Sequence, residues 1–163
     1  MESLATAMIQ VLLIASALVL MGIMAWSDAR SFLLPLVPNI IFLVAGLIVG
    51  HLAFGISIGS ALIGAGAGYL GLSAVAVAYQ NLRGREGMGG GDPILLGGIG
   101  AWLGWQVLPT ILLFAALFGL AYAVLQRLFE PQRIDWQDQR IPLGSCLICA
   151  ALPAGATLLI AGG

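Results

Sequence analysis

Charged positions divide this chain into long apolar runs joined by short polar breaks. Residues 3–27, 31–82, 93–126 and 141–163 contain no Asp, Glu, Lys or Arg. A helix that crosses a bilayer needs roughly 20 apolar residues. The first and last runs therefore hold one span each, and the 52-residue run holds two. The 34-residue run is long for one span and short for two, so it reads as two compact or tilted helices. Lipid offers no partner to open backbone groups. The pattern thus predicts an all-α, polytopic integral membrane protein, a bundle of six transmembrane helices within a single domain, residues 1–163. The expected spans are 5–26, 36–54, 56–79, 93–106, 109–127 and 143–161. Pro35 and Pro38, Gly55 and Pro109 punctuate the turns.

Composition agrees with this class. Hydrophobic residues make up 61% of the chain and charged ones 8%, whereas a soluble globule is nearer half apolar. The net charge of −1 argues against nucleic acid as a partner and leaves the lipid bilayer as the surrounding medium. Glu2 is the only early charge and no A-x-A cleavage site stands out, so the first run is expected to be a retained helix. Gly64, Gly66, Gly68 and Gly71 crowd the third span, and Gly97, Gly98, Gly100 and Gly104 the fourth. Small residues let membrane helices approach closely, so both segments are expected inside the bundle. Trp26, Trp102, Trp105 and Trp136 read as interfacial anchors. With six helices, Arg30, Arg83, Arg85, Arg127, Arg133 and Arg140 all fall on one side, which the positive-inside rule assigns to the cytoplasm.

In a chain this poor in charge, an acid beside a membrane segment is expensive to keep. Asp28 is the only acidic residue between Glu2 and Glu86, and Asp92 follows the glycines Gly89, Gly90 and Gly91. Each aspartate alone reads as structural: Asp28 paired with Arg30, Asp92 capping its own helix. Together, at one end of the bundle and at matched depth, they fit a site where two carboxylates share a proton, one acting as base and the other as acid. The glycines before Asp92 are expected to allow unusual backbone angles and close approach of a substrate strand. No rival set is present. His51 is the only histidine, which excludes a His triad or a His-rich metal site, and no lysine follows the glycines to make a phosphate loop. Cys146 and Cys149 lie in the last apolar run and read as a packing pair, too few for structural zinc. No metal and no cofactor are expected.

Glu86-Gly87-Met88-Gly89-Gly90-Gly91-Asp92, followed by Gly100-Ala101-Trp102-Leu103-Gly104-Trp105, resembles the GxGD signature of bacterial type IV prepilin peptidases. Asp28-Ala29-Arg30 with Leu34-Pro35 looks like that family's D-x-R segment, and Arg140-Ile141-Pro142-Leu143-Gly144 is similar to the opening of its last helix. The resemblance implies a six-helix aspartic endopeptidase of the bacterial inner membrane. Such enzymes remove the basic leader of prepilins or pseudopilins on the cytoplasmic side, after a glycine. It implies Asp28 and Asp92 as the catalytic pair, and Glu86, Gly89, Gly90, Gly91, Arg30 and Pro35 as substrate-binding or loop-supporting residues. Two-domain members also N-methylate the new terminus through an insertion with four zinc-binding cysteines. Nothing of that kind appears in this sequence, so cleavage without methylation is expected.

Three positions depart from the family pattern: Ile94 stands where lysine is common, Leu36 where Asp or Asn follows the first proline, and Ser145 where proline follows Gly144. Ile94 and Leu36 give weight to the competing expectation, a catalytically impaired member acting as a membrane scaffold or assembly factor of a pilus or secretion system. A proton-coupled carrier fits poorly, because the acids lie at one face and no polar track crosses the bundle.

Overall fold

The structure is a computed structural model that describes residues 2–84, 89–129 and 141–162. It is helical throughout, with no strand among the described residues. Six helices follow in order: α1 Glu2–Ser31, α2 Leu36–Phe54, α3 Ile58–Arg83, α4 Asp92–Leu103, α5 Leu108–Phe129 and α6 Leu143–Gly162. Five are long and apolar enough to cross a membrane; α4 is the exception at 12 residues. At 1.5 Å per residue it is about 18 Å long, well short of a hydrocarbon core of about 30 Å. The chain is therefore a multi-pass helical membrane protein.

Each helix boundary has a local cause. α1 continues beyond residue 26 to Ser31, through a stretch that holds the strong helix formers Ala29 and Arg30. It stops where Phe32 enters the left-handed region at φ 54°, its N–H donating to the Asp28 carbonyl at 2.8 Å. Asp28 thereby lies in the last turn of α1 rather than in a loop. Gly55 closes α2 at φ 66°, and the Ser57 side chain caps α3 by accepting from the Ser60 N–H at 3.1 Å. The break after α4 falls at Gly104, φ 85°, where a three-residue 3-10 turn, Trp105–Val107, begins. Pro109, expected in that turn, instead sits in the first turn of α5, where a missing N–H is harmless.

The centre of the molecule is α4. Every residue of it except Ile94 is buried, packed most extensively against α3 and α2. Glycines make this possible. A Cβ on Gly64 of α3 would collide with the Gly100 backbone of α4, and the reverse holds for Gly100. One turn along, a Cβ on Gly68 would lie 2.6 Å from the Leu96 carbonyl oxygen. On the other side Gly46 of α2 leaves room for the Trp102 indole, whose N–H donates to the Phe42 carbonyl at 2.8 Å. The Phe42 and Trp102 rings stack with centroids 5.7 Å apart. Trp102 is thus a core residue, 2% exposed, and not an interfacial anchor. Trp26 and Trp105 are exposed, and Trp136 lies outside the described residues. The expectation that α3 is buried like α4 also needs correction. Only Ser60, Ala61, Gly64, Gly68 and Leu72 are buried on it, and Gly66 and Gly71 have open space beside them.

Because α4 is short, its neighbours overrun it. Gly68 sits against Leu96, so Asp92, one turn earlier on the antiparallel α4, is level with Leu72. Residues 73–83 of α3 then continue for about 16 Å beyond that level. Gly119 of α5 lies against Ile141, just before α6, so residues 120–129 likewise overrun the start of α6 by about 15 Å.

Candidate active site

Asp28 of α1 and Asp92 of α4 are the buried acids among the described residues, 4% and 5% exposed. They reach the same end of the bundle from antiparallel helices. Leu34, in the turn between α1 and α2, sits at their junction. A Cβ on Gly91 would lie 2.7 Å from the Leu34 Cβ. A Cβ on Gly144 would lie 2.9 Å from the Leu34 Cδ1 and 3.2 Å from the Asp28 Oδ2. One leucine thus touches both the residue before Asp92 and the helix start that backs onto Asp28.

Each aspartate is supported from a neighbouring helix. The N–H of Ser145, in the first turn of α6, donates to the Asp28 Oδ2 at 2.7 Å, and the Ser145 hydroxyl reaches the same oxygen at 2.9 Å. Asn39 of α2, fully buried, donates from Nδ2 to the Gly91 carbonyl at 2.7 Å, which fixes the peptide leading into Asp92. Asp92 opens α4 with Pro93 behind it, and its N–H closes a turn onto the Gly89 carbonyl at 3.2 Å. An acid in a first helical turn faces unpaired N–H groups and is stabilised there.

The remaining candidates divide. Gly89 and Gly90 are exposed. Gly91 has helical angles, φ −81° and ψ −24°, in place of the unusual ones expected, and is required by space against Leu34. Pro35 is half-buried at the N-cap of α2. Arg30 is exposed and lies 4.0 Å over the Trp26 ring one turn back, away from Asp28. Glu86 lies outside the described residues. His51 is in the last turn of α2, at the opposite end. The two cysteines are free, one turn apart on α6, Cys146 buried and Cys149 exposed. No group of three His, Cys, Asp or Glu suited to a metal ion occurs among the described residues.

Ser145, Asn39 and Leu34 were not among the site residues expected from sequence. Two of them left a trace: Ser145 stands at a departure from the family pattern, and Asn39 is an isolated amide in an apolar run.

A polytopic helical protein with two buried carboxyl groups converging from different helices belongs to a narrow class, membrane proteins built around paired intramembrane acids. Residues 8–124 match the model of the type IV leader peptidase family, a stretch that includes both Asp28 and Asp92. The chain belongs to that family. It is 42% identical over 123 residues to a prepilin leader peptidase/N-methyltransferase of Aeromonas hydrophila, covering 76% of this chain and 41% of that protein. The protein of the same name from Dickeya chrysanthemi is 40% identical over 135 residues, 81% of this chain and 46% of the relative. That of Pseudomonas aeruginosa is 42% identical over 113 residues, 68% and 39%. The chain thus spans less than half the length of these curated relatives. No solved structure matches it.

Proposed function

We propose that these residues form an aspartic endopeptidase that cleaves the basic leader from type IV prepilins or pseudopilins. Asp28 and Asp92 are its catalytic pair. One carboxylate takes a proton from a water that attacks the scissile carbonyl, and the other, as the acid, protonates the leaving amine. Two carboxyl groups that act on one water share a proton more readily than they both ionise, which supplies one base and one acid from identical side chains. The observation that carries the reading is the convergence of two buried acids from α1 and α4 at one end of the bundle.

The site faces the cytoplasm of a bacterial inner membrane in this reading. In support, Arg30 and Arg83 end α1 and α3 at the same end as the aspartates, and basic residues favour the cytoplasmic side. The apolar, exposed Val75, Val77, Leu120, Val124 and Leu125 on the overrunning parts of α3 and α5 suit a substrate that keeps a hydrophobic helix in the bilayer. The relatives' name joins two activities, and cleavage without N-methylation is proposed for these 163 residues. Both cysteines lie on α6, short of the four-cysteine zinc set that accompanies methylation in two-domain members.

The test is leader removal from a prepilin by membrane vesicles holding the protein, read by mass spectrometry with S-adenosylmethionine present. Inverted vesicles, which expose the cytoplasmic face, should yield cleaved, unmethylated product, and D28N or D92N should lower the rate by about 10³-fold or more. Cleavage by right-side-out vesicles alone would refute the orientation, and a methylated product the proposed limit on activity. An intact leader with wild-type protein would leave the scaffold reading in its place.

A further inference from the structure

The two aspartates are not equivalent in their surroundings. Asp28 Oδ2 has two donors from one residue, the Ser145 N–H at 2.7 Å and the Ser145 hydroxyl at 2.9 Å. The amide is spare at this position. The first helical bond of α6 runs from the Cys146 N–H to the Pro142 carbonyl, so the Ser145 N–H precedes the ladder and has no partner within the helix. The hydroxyl also lies 3.2 Å from the Ala25 carbonyl, but the carboxylate oxygen is nearer. An oxygen that accepts two hydrogen bonds is not the one that carries a proton. Asp28 therefore has Oδ2 committed, while Oδ1 has no donor among the described residues. Asp92 has the Gly89 backbone N–H as a donor and no side-chain donor among the described residues. Among the described residues, the other ionisable groups near Asp28 do not supply an alternative anchor. Arg30 on its own helix is turned onto Trp26, Cys146 is the neighbour on α6, and the only ionisable group of α2, His51, is at the far end.

We propose that Ser145 is a positioning residue: it pins Oδ2 of Asp28 so that Oδ1 faces the attacking water, which makes Asp28 the base of the pair and Asp92 the acid. The inference rests on the peptidase reading and deepens it, because it assigns the two roles. In the step it describes, the water oxygen bonds to the scissile carbonyl carbon, the water proton passes to Asp28 Oδ1, and the Asp92 proton goes to the leaving nitrogen as the C–N bond breaks. Ser145 lies outside the residues 8–124 that match the family model.

The experiment uses the full chain in lipid nanodiscs. Leader-cleavage kinetics are measured for wild type, S145A, S145P and S145T. S145A removes one donor, and its kcat should fall about tenfold with KM unchanged, as expected for one hydrogen bond to a charged group. S145P removes both donors while remaining compatible with a first helical turn, and should fall further. S145T keeps both and should stay within about twofold of wild type. Equal kcat in wild type and S145P, or loss in S145T as large as in S145A, would overturn the proposal. Infrared difference spectra of the resting protein give a second readout that needs no activity. D28N should remove an ionised-carboxylate band that shifts in S145A, and D92N a protonated-carboxyl band. The reverse assignment, or a carboxylate band unmoved in S145A, would also overturn it. A wild type that cleaves nothing defeats the peptidase reading instead, and the spectra then decide the Ser145 anchor alone.

Discussion

Asn39 shows how much a single side chain contributes at the scale of the residue. It is the one amide buried at this end of α2, and its Nδ2 holds the Gly91 carbonyl while its Oδ1 has no partner among the described residues. A buried polar group left half-satisfied is destabilising by itself, so its retention points to the geometry it maintains. Asn39→Ala should leave the helix content intact and lower kcat for leader cleavage by about 10- to 100-fold, the effect of letting a catalytic group drift by about an ångström. Unchanged kinetics in that variant would show that Asp92 is held by other means. Sequence made the two aspartates legible, because carboxylates are conspicuous in a chain with 8% charged residues. It did not reveal their supports. Ser145, Asn39 and Leu34 are ordinary residue types whose meaning depends on which helices meet. Trp102 misled for the same reason: its indole N–H is satisfied inside the bundle by a carbonyl that only Gly46 leaves accessible.

Among the elements, α4 sets the plan. Five helices of membrane length were readable from charge-free runs alone, since crossing lipid imposes length and composition together. The extent of α4 was less legible, because its end is set by a left-handed Gly104 and not by a proline or a charge. What holds α4 is the glycine seam with α3, where backbone meets backbone without intervening side chains. Glycines on and off that seam make opposite predictions for similar substitutions. Gly64→Ala places a methyl group against the Gly100 backbone and should destabilise the protein by about 1–3 kcal/mol. Gly66→Ala meets nothing within 4 Å and should be neutral, or stabilising by up to about 1 kcal/mol from helix propensity. Thermal unfolding in detergent separates them, and equal melting temperatures would contradict the packing described for α3 against α4. The same comparison explains why counting glycines overstated the burial of α3: only those one turn apart on a single face, Gly64 and Gly68, make the contact.

For the whole molecule, the arrangement is a short central helix inside longer ones, with both acids at the same end and α3 and α5 extending beyond them. This geometry recesses the carboxyl groups between apolar walls while keeping Gly89 and Gly90 exposed beside Asp92. Membership of the type IV leader peptidase family and the convergence of Asp28 with Asp92 are independent observations that lead to one account: two side chains from distant parts of the chain act as a unit on one water. Groups acting as a unit lose their effect together, so their removal is not additive. The most direct measurement is therefore the rate of leader cleavage in D28N, D92N and the double variant D28N/D92N, compared in the same membranes. The account predicts that each single change removes nearly all activity, about 10³-fold or more, and that the double variant is no slower than either. Losses that multiply in the double variant, or a single variant that still cleaves near the wild-type rate, would contradict it.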